Sequence, residues 1–143
     1  MRNTQRALRA GADLRPTRHA LVWIDHRCAD IVFFDRHAAE TKLIRHRDAP
    51  RSVHHKAGTT GAGHIVEDTL YLNEVAAELR DVDEILIVGP SHAKWELKAY
   101  IERRAGEIAE RIVGVETINH PTEAQLLAYA QHYFVAVDRM RPH

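Results

Sequence analysis

The run EILIVGPSHAKWELKAYI, residues 84–101, decides the fold. Ile85, Leu86, Ile87 and Val88 are apolar without alternation, and Gly89-Pro90 stops them. A strand apolar on both faces is covered on both faces, the habit of parallel strands joined by helices. A helical pattern begins at once. Leu97, Ile101, Ala105 and Ile108 share one face, with Ser91 the expected N-cap and Gly106 the expected division of the helix.

Upstream, HALVWID (19–25) and CADIVFFDR (28–36) are two apolar runs separated by His26-Arg27, the pattern of a β-hairpin. Asp25 is expected to end the first strand by hydrogen-bonding that turn. ETKLIRHR (40–47) gives a third, shorter strand with apolar Leu43 and Ile44 and a basic far end. IVEDTLYLNEVAAELRD (65–81) is helical, with Leu72, Val75, Ala76 and Leu79 on one face. Downstream, VGVETI (113–118) is a short strand and PTEAQLLAYAQHYFVAVDR (121–139) a last helix capped by Thr122. The order is β-β-β-α-β-α-β-α. An antiparallel meander followed by right-handed crossovers makes an α/β fold: a mixed five-stranded RNase H-like sheet, helices on both faces, the first strand beside the fourth. The domain is expected over 19–139, with a flexible basic arm over 1–18 and a mobile loop over 47–63.

The bulk composition narrows the classes. The 143 residues suffice for one core, with 45% apolar and 28% charged side chains. Formal net charge is +0, which excludes a globally basic nucleic-acid binder but not a local patch. Eleven histidines make the surface charge sensitive to pH near 6.5. Cys28 is the single cysteine, so no intramolecular disulfide forms, in keeping with a reducing cytoplasm. No run has the apolar length of a membrane span, and MRNTQRALRAGADLRPTR lacks the apolar core of a secretory signal.

The stretch RSVHHKAGTTGAGH, residues 51–64, is where chemistry is sought. His54, His55 and His64, with His46 nearby, invite zinc or nickel, but adjacent histidines in an extended segment point apart and the spacing matches no closed zinc signature. Gly61-Ala62-Gly63 ahead of a helix offers amides to an anion, yet GTTGAGH lacks the Walker lysine and is no P-loop. A two-metal nuclease would need carboxylates; Asp25 with Glu67 or Asp68 is in a suitable region, but the fourth strand ends in Gly89-Pro90-Ser91-His92 without one. Cys28 reads as a small buried apolar side chain. Ser91 beside His92 makes no catalytic elbow.

Local charge remains. Arg45, Arg47, Arg51 and Lys56, with His46, His54 and His55, face one acid, Asp48. The arm adds Arg2, Arg6, Arg9, Arg15 and Arg18 against Asp13. Two basic segments on an otherwise neutral body suit a phosphate backbone, and RNA requires no helix in a major groove.

HALVWIDHRCADIVFFD, the basic glycine-bearing loop, EILIVGPSHAKWELKAYI and RIVGVETINHPTEAQLLAYA together resemble the middle domain of the archaeal and eukaryotic release factor 1 and Pelota family. The resemblance spans residues 19–134, and Gly89, Pro90 and Lys94 match its most specific phrase. It implies the RNase H-like, translational-machinery-component fold, known also in bacterial single-domain proteins. In release factors the loop between the third strand and the first helix carries Gly-Gly-Gln, which promotes peptidyl-tRNA hydrolysis. The equivalent stretch here, His54 to His64, has no glutamine. The resemblance thus implies a non-catalytic, cytoplasmic binder of the ribosome or structured RNA, with neither DNA nor membrane as partner. Its expected contacts are Arg45, Arg47, Arg51, His54, His55, Lys56, Gly58, Gly61, Gly63 and His64, with no catalytic residue, metal or cofactor. A metal-dependent hydrolase and a homodimeric interaction module are the alternatives.

Overall fold

The computed structural model describes residues 17–47 and 61–140. The chain runs through β1 (His19–Ile24), β2 (Cys28–Phe34), β3 (Ala39–Arg45), α1 (Gly61–Ala77), β4 (Glu84–Gly89), α2 (Ala93–Arg104), α3 (Gly106–Ala109), β5 (Ile112–Thr117) and α4 (Glu123–Met140). The five strands form one mixed sheet in the order β3-β2-β1-β4-β5. β2 is antiparallel to both β1 and β3, while β4 is parallel to β1 and to β5. The unbroken apolar run thus became a parallel strand against β1, as expected.

The period of two along β1 builds two cores. Ala20, Val22 and Ile24 point to one face, where Val75 of α1, Leu97 and Ile101 of α2 and Ile108 of α3 cover them. Leu21 and Trp23 point to the other, beneath Leu126, Ala130 and Phe134 of α4. Each fully buried aliphatic side chain contributes about 1.5–3 kcal/mol from removal of apolar surface, so both faces must be covered for β1 to stay in place. β1 and β4 also approach so closely at their C-terminal ends that a Cβ on Gly89 would lie 2.2 Å from the Ile24 carbonyl oxygen. Glycine at 89 is a packing requirement.

The local signals hold at some boundaries and yield at others. Asp25 Oδ1 accepts the Arg27 and Cys28 amides at 2.8 and 2.9 Å, closing the β1–β2 turn as expected. Thr122 caps α4 reciprocally with Gln125: the Gln125 amide donates to Thr122 Oγ1 at 3.1 Å, and the Thr122 amide to Gln125 Oε1 at 3.0 Å. The long helix divides at Ala105, so that α3 begins at Gly106. Ser91, however, is not the N-cap of α2. His92 holds that place, in helical conformation and without a side-chain cap bond. α1 starts at Gly61, ahead of the expected Ile65, so Gly61 and Gly63 lie in its first turn and not in a loop. First-turn amides have no intrahelical acceptor, so glycine there sacrifices less than in a helix interior. Leu43 is exposed: the pleat turns Ile44 into the core and its neighbour out. Cys28 is half-buried at the start of β2, less enclosed than its apolar reading required.

Candidate nucleic-acid interface

β3 is an edge strand, and it is tied down by charge. Five of its first six positions are exposed, and Ile44 alone in the strand is buried. Lys42 Nζ donates to Glu78 Oε2 at 2.8 Å, reaching the residue just past α1, and that bond holds the Lys42 ammonium above its usual pKa. At the far end the chain leaves the strand and three consecutive residues divide the work. The His46 amide donates to the Arg27 carbonyl at 2.8 Å. Its ring turns inward, 4.8 Å from the Tyr71 ring, and Nε2 lies 2.7 Å from Asp68 Oδ1. The Tyr71 hydroxyl donates in turn to the Asp25 carbonyl at 2.9 Å, and burial raises its pKa. His46 is therefore an anchor between β3, the β1–β2 turn and α1.

Arg45 and Arg47 flank this anchor and point the other way. Both are exposed. Arg47 Nη2 stands 3.9 Å from Glu74 Oε1, a loose pair between exposed groups that contributes at most about 1 kcal/mol. The side chain of Arg45, opposite Cys28 in the register, has no hydrogen bond or ion pair among the described residues. Its guanidinium stabilises the charged forms of its neighbours, but burial outweighs it. The Cys28 thiol stands above its usual pKa from desolvation and then from Asp25 and Asp30. The Asp30 carboxyl is raised by desolvation, then by Glu123 and Asp25. A thiol held protonated is a poor nucleophile.

The expected site residues are thus only partly within view. Arg45 and Arg47 are exposed on either side of His46, at the point where β3 hands over to residue 48. Gly61, Gly63 and His64 lie in the first turn of α1. Arg51, His54, His55, Lys56 and Gly58 fall outside the described residues, as does the arm through residue 16. Among the described residues, no group of three or more His, Cys, Asp or Glu side chains is placed to hold a metal ion. Two of the carboxylates considered for a nuclease are otherwise occupied: Asp25 in its turn, Asp68 on His46.

Two features escaped the sequence reading. His46 stands two residues beyond Ile44, so the alternation already directs it to the core face. Lys94 is buried on α2, its Nζ donating to the Ser91 carbonyl at 2.6 Å, where it closes the turn after β4. The body is also not neutral. Residues 17–47 and 61–140 carry thirteen Lys and Arg against eighteen Asp and Glu, leaving seven against two for the remainder. The basic excess lies wholly outside the described body.

No family model matches the chain, and no curated protein matches it. Several solved structures do. The crystal structure of Archaeoglobus fulgidus Pelota superposes with a TM-score of 0.57 at 17% identity, over 90% of this chain and 35% of that one. Thermoplasma acidophilum Pelota gives 0.54 at 14% identity, over 95% and 38%. An archaeal translation termination factor, aRF1, gives 0.53 at 15% identity, over 86% and 39%. Among the described residues no helix is long and apolar enough to cross a membrane. The chain is thus similar in fold to part of the Pelota and aRF1 structures, and it spans little more than a third of their length.

Proposed function

We propose that this chain is a release-factor-like protein of translation that binds the ribosome or structured RNA without hydrolysing it. The observation that carries the reading is the end of β3. On a fold like that of Pelota and aRF1, the strand delivers exposed Arg45 and Arg47 to solvent. It then leads into the segment with Arg51, His54, His55 and Lys56. His46 fixes that exit against α1, so the two arginines sit on a rigid edge and not on a swinging tail. Guanidinium and ammonium groups in such a row exchange condensed counterions for phosphates, a sequence-independent attraction that weakens steeply with salt.

The absence of Gly-Gly-Gln between β3 and α1 supports a non-hydrolytic role, and so does the engagement of Asp25 and Asp68 in structural bonds. In this reading Arg45, Arg47, Arg51, His54, His55, Lys56, Gly58, Gly61, Gly63 and His64 face the RNA. The acidic body keeps the rest of the molecule off it. Recovery of the protein from a native lysate, with and without ribonuclease, is the test. Ribosomal proteins should accompany it and disappear after ribonuclease. A single protein recovered in both conditions would favour an interaction module instead.

A further inference from the structure

The end of the sheet opposite Arg45 holds a second feature, which does not depend on RNA binding. Where β2 turns into β3, Arg18, Phe33, Phe34, Asp35, Ala38, Ala39 and Glu40 line an open groove of about 140 Å³. Arg18 already lies here, its guanidinium 5.2 Å from the centre of the Phe33 ring. The Asp35 carboxyl is held below its usual pKa chiefly by the His37 and Ala38 amides, with a smaller contribution from the Arg18 charge. The groove is not filled by Arg18. Asp35 Oδ1 accepts the His37 and Ala38 amides at 2.7 and 3.0 Å, while Oδ2 and the Glu40 carboxylate have no hydrogen-bond partner among the described residues. Arg36 and His37, in the turn between, are both exposed.

The chain supplies its own occupant. The sixteen residues before Thr17 enter the fold at Arg18, on the rim of the groove, and carry Arg2, Arg6, Arg9 and Arg15 against one acid. Arg15 stands three residues from Arg18, within about 11 Å along an extended chain. We propose that this N-terminal arm docks in the groove, setting an arginine side chain between Asp35 and Glu40, beside the edge of the Phe33 ring that Arg18 leaves uncovered. Contact with an aromatic ring and pairing with two carboxylates suit guanidinium better than ammonium. The contact also balances an arginine-rich arm against an acidic body.

The test uses the full chain with a paramagnetic label at Ala12→Cys, in a Cys28→Ser background, and reads amide broadening by NMR. The label should broaden the amides of Phe33 to Glu40, and the broadening should be lost in the Asp35→Asn/Glu40→Gln variant. Asn at 35 keeps an oxygen for the turn amides, and unchanged shifts in β1 and β4 confirm that the variant is folded. Arg15→Lys should weaken the broadening. No broadening in the parent protein, or broadening unchanged in the double variant, would overturn the proposal. So would broadening seen only between molecules, in a mixture of labelled chain and isotope-enriched unlabelled chain.

Discussion

β1 and β3 belong to one sheet and are built from nearly opposite sequences. β1, at the centre, is HALVWI, and every residue after His19 is buried. β3, at the edge, is AETKLIR, and only Ile44 is buried. The central strand is held by covering both its faces. The edge strand is held by discrete bonds to its neighbour helix, Lys42 to Glu78 and His46 to Asp68, which leave other side chains free to meet solvent. Charged residues on an edge also discourage a second sheet from adding there. If the proposed function holds, stability and recognition fall to different strands, and substitutions should separate them.

Phe134→Ala should break the centre most severely. The ring packs on Phe34 and His19 from above the sheet and is fully buried. Its loss should cost about 3–5 kcal/mol, read as a fall in the denaturation midpoint; a shift no larger than that of an edge variant would undo the contrast. Gly89→Ala comes next, at about 1–3 kcal/mol, because its Cβ meets backbone that cannot turn aside. At the edge, His46→Ala should cost about 1–3 kcal/mol by leaving the end of β3 untied from Asp68. Hydrogen exchange should then accelerate at Arg45 and His46 and not in β1. Uniform acceleration would show that the edge and the centre unfold as one.

Asp30 gives a smaller effect with a sign. Its folded pKa is raised, so ionisation opposes folding and the penalty is fully present above the folded pKa. Asp30→Asn should therefore stabilise the protein at neutral pH, by well under about 1 kcal/mol given its partial exposure. The gain should vanish as pH falls through the folded pKa towards the ordinary carboxylate value. A gain that is independent of pH would assign the effect to something other than charge.

The centre was legible because its cause is local. Four consecutive apolar residues ended by Gly-Pro announce a covered strand wherever it sits. Asp25 and Thr122 announced their turn and cap for the same reason. The edge was less legible because its partners are distant in the chain. Nothing near Arg47 or His46 in sequence signals Glu74 or Asp68, which only the packing of α1 brings close. Two helix boundaries were also misplaced: α1 begins at Gly61, and His92 and not Ser91 heads α2. The acidity of the body was hidden by a net charge of zero, since the basic excess lies in segments outside it.

The smallest effect on stability should accompany the largest on binding. Arg45→Gln/Arg47→Gln should leave the unfolding free energy within about 0.5 kcal/mol of the parent. Adding Arg51→Gln and Lys56→Gln removes the remaining permanent cations of the same row. Co-sedimentation of this four-site variant and the parent with purified ribosomes, at about 50 mM and 200 mM salt, tests the central claim most directly. The parent should pellet with ribosomes at low salt and less at moderate salt, while the folded variant stays in the supernatant at both. A parent protein that remains in the supernatant at both salts, or a variant that pellets as the parent does, would contradict the account.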